Sequence, residues 1–463
     1  MTNDCDRRLL GVLGLAFVLR GALPLAALAV TWPGPPLVRE PDSAGYVRLA
    51  EALVATGHFT EFGRPEIERT PGYVCFLVPG VLTGHIDAVT IALQCAVGCL
   101  TVYLTYRLAL QVFERPSVAL AGALLCACEP LSVLYAGKLL TETTFTCAVA
   151  AVLLLLARHL RWGGWCDLLG SALMLALAIF IRPIALYLPF VLGLLIVAGF
   201  RPHTPRRRRL GEAAAFIALA AGLPCAWIAR NHIVAQYDGF SAMGDVNLYF
   251  WHAAGVEAAR QGRPLRDVQR EWGYFSEQVF QRRNPAARRG TAAQHYAFLR
   301  REAWRILLTS PGTTLVVYLD GIRDTLVDPG TQAFRDYFRE HQAPVEEPAR
   351  APAGAWARLR RALATKPLVV AIHGALQVTV LGYLVLALLG CLSKGNGRRM
   401  PVVLLVVTLG YFLLLSGGPT GYHRFRLPIL PMLSLLAGAG GAALWSRRPT
   451  GTENRRSAAE SPA

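Results

Sequence analysis

Charge is scarce in this chain. Only 17% of its 463 residues are Asp, Glu, Lys or Arg, 54% are hydrophobic, and the mean hydropathy is +0.38. A soluble protein of this length carries nearer a quarter charged residues and does not string its apolar residues into runs of about twenty. Cysteine is missing from the longest polar stretch, 230–367, although the chain holds 10 in all. That gap excludes a disulfide framework there, and no CxxC pair elsewhere points to a metal site. Cys95 and Cys99 share a helix face and read as small packing residues rather than ligands. No internal repeat is visible, which disfavours transporters built from inverted halves.

Acidic residues are the scarcer charge, 30 against 47 basic, for a net charge of +17. The distribution argues against nucleic-acid binding. Arginine and lysine gather in short segments between apolar runs: Arg7-Arg8, Arg201 with Arg206 to Arg209, Lys394 with Arg398-Arg399, and Arg447-Arg448 with Arg455-Arg456. Cytoplasmic loops of membrane proteins carry this bias.

The apolar runs are 9–30, 88–110, 117–137, 139–157, 168–181, 184–200, 211–229, 368–392, 400–417 and 427–445. A bilayer core demands about 17–25 apolar residues of a helix, and in lipid the backbone must satisfy its own hydrogen bonds. The fold class expected is therefore an all-α polytopic membrane protein. The run 9–30 exceeds the 7–15-residue core of a signal peptide and is read as a retained first helix. Runs 168–181 and 184–200 are separated by Arg182-Pro183. Reading them as a hairpin of two short helices puts every basic cluster on one side, which gives about ten transmembrane helices with both termini cytoplasmic.

Four units follow: a transmembrane core over 1–229 that includes a first external loop at 31–87, an external region at 230–367, C-terminal helices at 368–446, and a cytoplasmic tail at 447–463. The first loop is expected to hold an interfacial helix from Ser43 to Ala55, started by Pro41-Asp42, and a short apolar helix from Gly72 to Leu82. The larger region shows helical patches at 291–308 and 311–327, then a Pro/Ala/Arg-rich stretch at 343–362 that reads as a linker.

Polar residues recur at the external ends of these helices. Asp42 and Tyr46 follow the first run, Glu68-Arg69 introduce the short helix, and Lys138 and Glu142 sit at the turn between the third and fourth runs. Arg182 caps the hairpin, and His423, Arg424 and Arg426 precede the last helix. Ionisable groups this close to a membrane core are costly and usually mark a pathway or a site. The set suits transfer of a group from a lipid phosphate, because a phosphate leaving group needs cations rather than a general acid. Arg69, Arg182, Lys138, Arg424 and Arg426 are the phosphate-binding candidates, Asp42 is the candidate base, and Tyr46, Glu68, Glu142 and His423 are candidate substrate contacts. Each has a plainer reading: Asp42 as a helix cap, Tyr46 as an interface anchor, the arginines as snorkelling side chains, Glu142 as an i,i+4 partner of Lys138, and His423 as a boundary residue. Arg20, in mid-helix, is expected to face the bundle interior.

The ordered series Pro41-Asp42-Ser43-Ala44-Gly45-Tyr46, Arg69-Thr70-Pro71-Gly72-Tyr73, Glu129-Pro130, Leu140-Thr141-Glu142-Thr143, Ile181-Arg182-Pro183, Ala229-Arg230-Asn231, Asn247-Leu248-Tyr249 and His423-Arg424-Phe425-Arg426 resembles the GT-C class of integral-membrane glycosyltransferases. The similarity is to the bacterial branch related to protein O-mannosyltransferases and lipid A aminoarabinose transferases. It implies a polyprenyl-phosphate-linked sugar donor, an inverting transfer to a glycan, lipid or protein acceptor, and a bacterial cytoplasmic membrane with the site facing outward. It implies that Asp42 is the catalytic acidic residue and that Glu68-Arg69 contact the donor phosphate. Many relatives carry lysine where this chain has Arg69. Some use a divalent metal, for which the sequence offers no ligand set. A transporter or flippase for a lipid-linked or anionic solute is the rival reading, and a membrane scaffold a third. The gathering of ionisable residues at one end favours an enzyme.

Overall fold

The structure, a computed structural model, describes residues 2–31, 38–199, 204–285, 291–338, 367–392 and 399–446. Arg201, Lys394, Arg398, the side chain of Arg399, the stretch 343–362 and the tail 447–463 lie outside the described residues. Over the described residues each of the ten apolar runs is largely helical. They form α1 (Thr2–Thr31), α4 (Ile86–Phe113), α5 (Pro116–Cys128) with α6 (Pro130–Ala136), α7 (Glu142–Trp162), α8 (Trp165–Ile181), α9 (Leu188–Ala198), α10 (Arg206–Ala235), α18 (Pro367–Leu392), α19 (Arg399–Leu415) and α20 (Leu430–Ser446). Among the described residues six helices are long and apolar enough to cross a membrane alone, and seven spans result if the bent pair α5–α6 is one of them. That is fewer than the ten expected, because α8, α9 and α19 are too short to meet that length unaided. The chain is an all-α polytopic membrane protein whose described residues include a single two-stranded ribbon, Thr60–Glu61 against Arg64–Pro65.

The chain turns back at Arg182-Pro183. Phe180, at the end of α8, packs edge-on against Trp227 near the end of α10, whereas the carbonyls of Val197 and Ala198 at the end of α9 accept from Arg209 at the start of α10. The two short helices thus run in opposite directions along α10. A second break lies at Glu129-Pro130, where α5 and α6 bend by 54°. Proline has no N–H to give the carbonyl four residues back, so the helix stops. Arg20, 1% exposed in α1, donates to the carbonyls of Cys126 and Ala127 at 3.3 and 3.0 Å and to the Ser132 hydroxyl at 2.8 Å. The mid-membrane arginine therefore satisfies backbone acceptors left over by the break.

Close helix packing uses small residues where lipid offers no hydrophobic drive. A Cβ on Gly438 of α20 would lie 2.7 Å from the Gly122 nitrogen of α5, so only glycine lets these helices cross there. Between α1 and α4 the chain forms α2 (Pro41–Thr56) and α3 (Pro71–Leu82), close to the expected pair. Pro41 opens α2, the Glu40 and Ser43 side chains form a capping box, and Gly57 ends the helix at φ 71°. Asp42 is therefore not the cap. The connection after α10 holds α11 (Met243–Asn247), a π-helical turn (Leu248–Ala253), α12 (Ala254–Gln261), α13 (Leu265–Trp272), α14 (Glu277–Arg283), α15 (Ala292–Thr309), α16 (Pro311–Val327) and α17 (Thr331–Tyr337). An aromatic cluster of Tyr249, Phe250, Trp272 and Phe280 fills its own small core.

Candidate active site

Glu142 is the first residue of α7 and is fully buried. One of its oxygens accepts from both Arg182, which caps α8, and Arg424, in the 3-10 segment His423–Ile429. Arg424 then reaches outward, its Nη1 2.9 Å from Asp42 Oδ2. The result is a ladder, Asp42–Arg424–Glu142–Arg182, joining four elements distant in sequence. Its inner carboxylate is sealed at 0% exposure and its outer one is open at 55%. The second oxygen of Glu142 is buried and has no hydrogen-bond partner. Phe145 and Phe425 lie under the Arg182 guanidinium, with ring centroids 5.9 and 5.3 Å from its central carbon, and fix its plane.

Arg69 enters from the other side. Its backbone N–H donates to Glu66 Oε1 at 2.7 Å, its guanidinium lies 5.6 Å from the Tyr46 ring centroid, and Glu61 is 3.6 Å away. The guanidinium crosses α2 directly over Gly45, where a Cβ would sit 2.6 Å from Nη2. Tyr46 stands edge-on to Tyr73, whose hydroxyl donates to Gln94 Oε1 at 2.8 Å. Asp42, Arg69, Arg182 and Arg424 all act electrostatically on the Tyr46 phenol, which places it among the four charges. Gly45→Ala is therefore expected to push Arg69 off its seat and weaken substrate binding. Steady-state kinetics should show a raised KM with little change in melting temperature.

The other candidates sit differently. Lys138 is 1% exposed and pairs with Glu40 rather than with Glu142, because its chain turns under Tyr135 and Tyr337. Glu68 does not pair with Arg69; it accepts from the Tyr296 hydroxyl at 2.7 Å and so ties the first connection to α15. Arg426 is buried and spends Nη1 on the carbonyls of Thr325, Leu326 and Asp328, which end α16, away from the ladder. His423 is held by Asp328, Nδ1 to Oδ2 at 2.8 Å, with Nε2 3.2 Å from the Tyr135 hydroxyl. Burial acts upward on the Asp328 carboxyl, but the bonds from His423 and the Gly330 N–H outweigh it and hold the group at about 2.

Asp328, Gln94 and Glu66 were not singled out in the sequence, since nothing local marks them. Glu66 is 6% exposed and accepts from the N–H groups of Glu68 and Arg69. Burial pushes its carboxyl up to about 7 from an ordinary 4.5, against those bonds. A carboxyl raised on folding stabilises below its unfolded value, and that stability is lost as pH rises through the folded value. Melting temperature in detergent should therefore fall from about pH 5 to about pH 8, and Glu66→Gln should flatten that slope. Among the described residues no three His, Cys, Asp or Glu side chains are placed to hold a metal ion, and the carboxylates of the ladder face guanidinium groups instead.

A family profile described as dolichyl-phosphate-mannose-protein mannosyltransferase matches residues 79–228. No curated protein matches the chain. The fold is similar to that of the archaeal oligosaccharyltransferase AglB from Archaeoglobus fulgidus in complex with an inhibitory peptide and a dolichol-phosphate, at 12% identity and TM-score 0.52, over 95% of this chain and 50% of that one. The oligosaccharyltransferase of the same organism in its apo form matches at 15% identity and TM-score 0.51, over 93% of this chain and 50% of its own. This chain spans about half the length of those enzymes. ArnT from Cupriavidus metallidurans bound to undecaprenyl phosphate aligns at 15% identity over 93% of this chain and 78% of its own, with a TM-score of 0.37. The resemblance to the GT-C class read in the motifs is thus met by the family profile and by the shared fold.

Proposed function

We propose that the protein is an inverting glycosyltransferase that moves a sugar from a polyprenyl-phosphate donor to an acceptor at the ladder end of the bundle. The observation that carries this reading is the ladder itself: one open carboxylate, Asp42, beside arginines drawn together by a sealed one, Glu142. Asp42 takes the proton of the acceptor hydroxyl or amine. The acceptor atom then forms a bond to the anomeric carbon as the bond to the phosphate oxygen breaks, and the electron pair leaves with the lipid phosphate. Arg424, Arg182 and Arg69 stabilise the charge that grows there, arginine matching phosphate with two parallel donors. Attack opposite the leaving group inverts the anomer.

The names of the similar proteins support the donor class, since one is described with a dolichol-phosphate and the family profile carries the same lipid in its description. The basic residues Arg206 to Arg209 begin α10 at the end away from the ladder, which supports a site facing outward from a bacterial cytoplasmic membrane. Binding of the lipid product tests the reading. Polyprenyl phosphate should raise the melting temperature of purified protein, neutral polyprenol should not, and Arg182→Ala should remove the shift. Equal stabilisation by both lipids would count against a phosphate site.

A further inference from the structure

We propose that the corner where α15 meets α16 is seated in the bilayer interface, so that this part of the long connection is a membrane-binding element. Trp304 and Leu308 on α15, and Leu315, Val316 and Leu319 on α16, are 50–71% exposed. The spacings 304/308 and 315/319 put each set on one helix face. The outward faces change character with distance from the corner. Arg300, Arg301 and Arg305 lie behind Leu308 along α15, and Asp320 and Arg323 behind Leu319 along α16, all exposed, so that Leu308, Leu315 and Val316 form the apolar tip. A surface apolar at its tip and charged behind it matches the depth profile of a lipid–water boundary.

The occupant follows from continuity with the lipid-facing bundle. Tyr318, on the flank of α16, donates its hydroxyl to the carbonyl of Leu414 at the end of α19. Leu414 and Leu415 are themselves exposed on that apolar helix. The corner therefore stands beside the exposed apolar end of α19. Trp304 and Tyr318 are the residue types that gather at such boundaries, and Arg301 and Arg305 beside Trp304 suit anionic headgroups. Seating this corner also anchors α16, whose last carbonyls hold Arg426 in the segment that carries Arg424.

The experiment uses full-length protein in phospholipid nanodiscs, with the Trp304 signal taken as wild-type emission minus that of Trp304→Phe. Lipids brominated near the headgroup end of the acyl chain should quench this component, and aqueous iodide should leave it intact. Quenching by iodide with indifference to brominated lipid would place the corner in water and overturn the proposal. Protection from both quenchers would also overturn it, since a protein surface such as a second copy would then cover the corner.

Discussion

Asp42→Asn is expected to abolish sugar transfer while the protein still inserts and folds. The amide keeps the size of the side chain and can still accept from Arg424, but it cannot take a proton. Loss of a general base costs roughly a hundredfold to ten-thousandfold in rate. The ion pair that is lost is half-exposed, with Asp42 at 55%, and exposed pairs contribute only about 0–1 kcal/mol to stability. Activity and stability should therefore separate. Turnover measured on purified variant, beside a melting curve, reads both, and near-normal turnover would remove Asp42 from the chemistry.

The second large effect is at Glu142, where activity and stability should fall together. Glu142→Gln leaves Arg182 and Arg424 facing each other without the buried carboxylate that holds both. Removing one member of a buried ion pair costs about 3–5 kcal/mol, because the remaining charge is left uncompensated. The guanidinium groups should part, and with them the phosphate cradle, so the variant should melt earlier and lose transfer even at saturating donor. Glu142→Asp, which keeps the charge on a shorter arm, should recover stability before it recovers activity. A Glu142→Gln protein that melts like wild type would show that the two arginines do not depend on this carboxylate.

Much of this arrangement was legible in the sequence, and the part that was not shares one cause. The helices α2 and α3 were expected at Ser43–Ala55, started by Pro41-Asp42, and at Gly72–Leu82, and they form close to those bounds, at Pro41–Thr56 and Pro71–Leu82. The apolar runs likewise give the helices directly. Whether a helix spans is less local: α8 and α9 are short, and their apolar character cannot say how deep they reach. Partner choice was the least visible. Spacing offered Lys138 to Glu142, four residues away, yet Lys138 takes Glu40 and Glu142 takes Arg182 and Arg424. Residues 137–141, between α6 and α7, are a non-helical turn, so helix spacing does not apply from Lys138 to Glu142. Arg20 was expected to face the bundle interior, and Arg426 to bind the donor phosphate. Both turn out to serve backbone carbonyls at helix ends, which no side-chain pattern announces. Asp328 gave no signal, because its role depends on a histidine almost a hundred positions later.

The most direct test of the central claim is to give purified wild-type protein in sealed proteoliposomes a panel of polyprenyl-phosphate sugars with candidate acceptors. Free lipid phosphate and the anomeric configuration of the product are then measured. The account predicts that one donor is consumed, that lipid phosphate appears in step with product, and that the transferred sugar carries the inverted anomer. Donor that crosses the bilayer intact, with no lipid phosphate released, would contradict it.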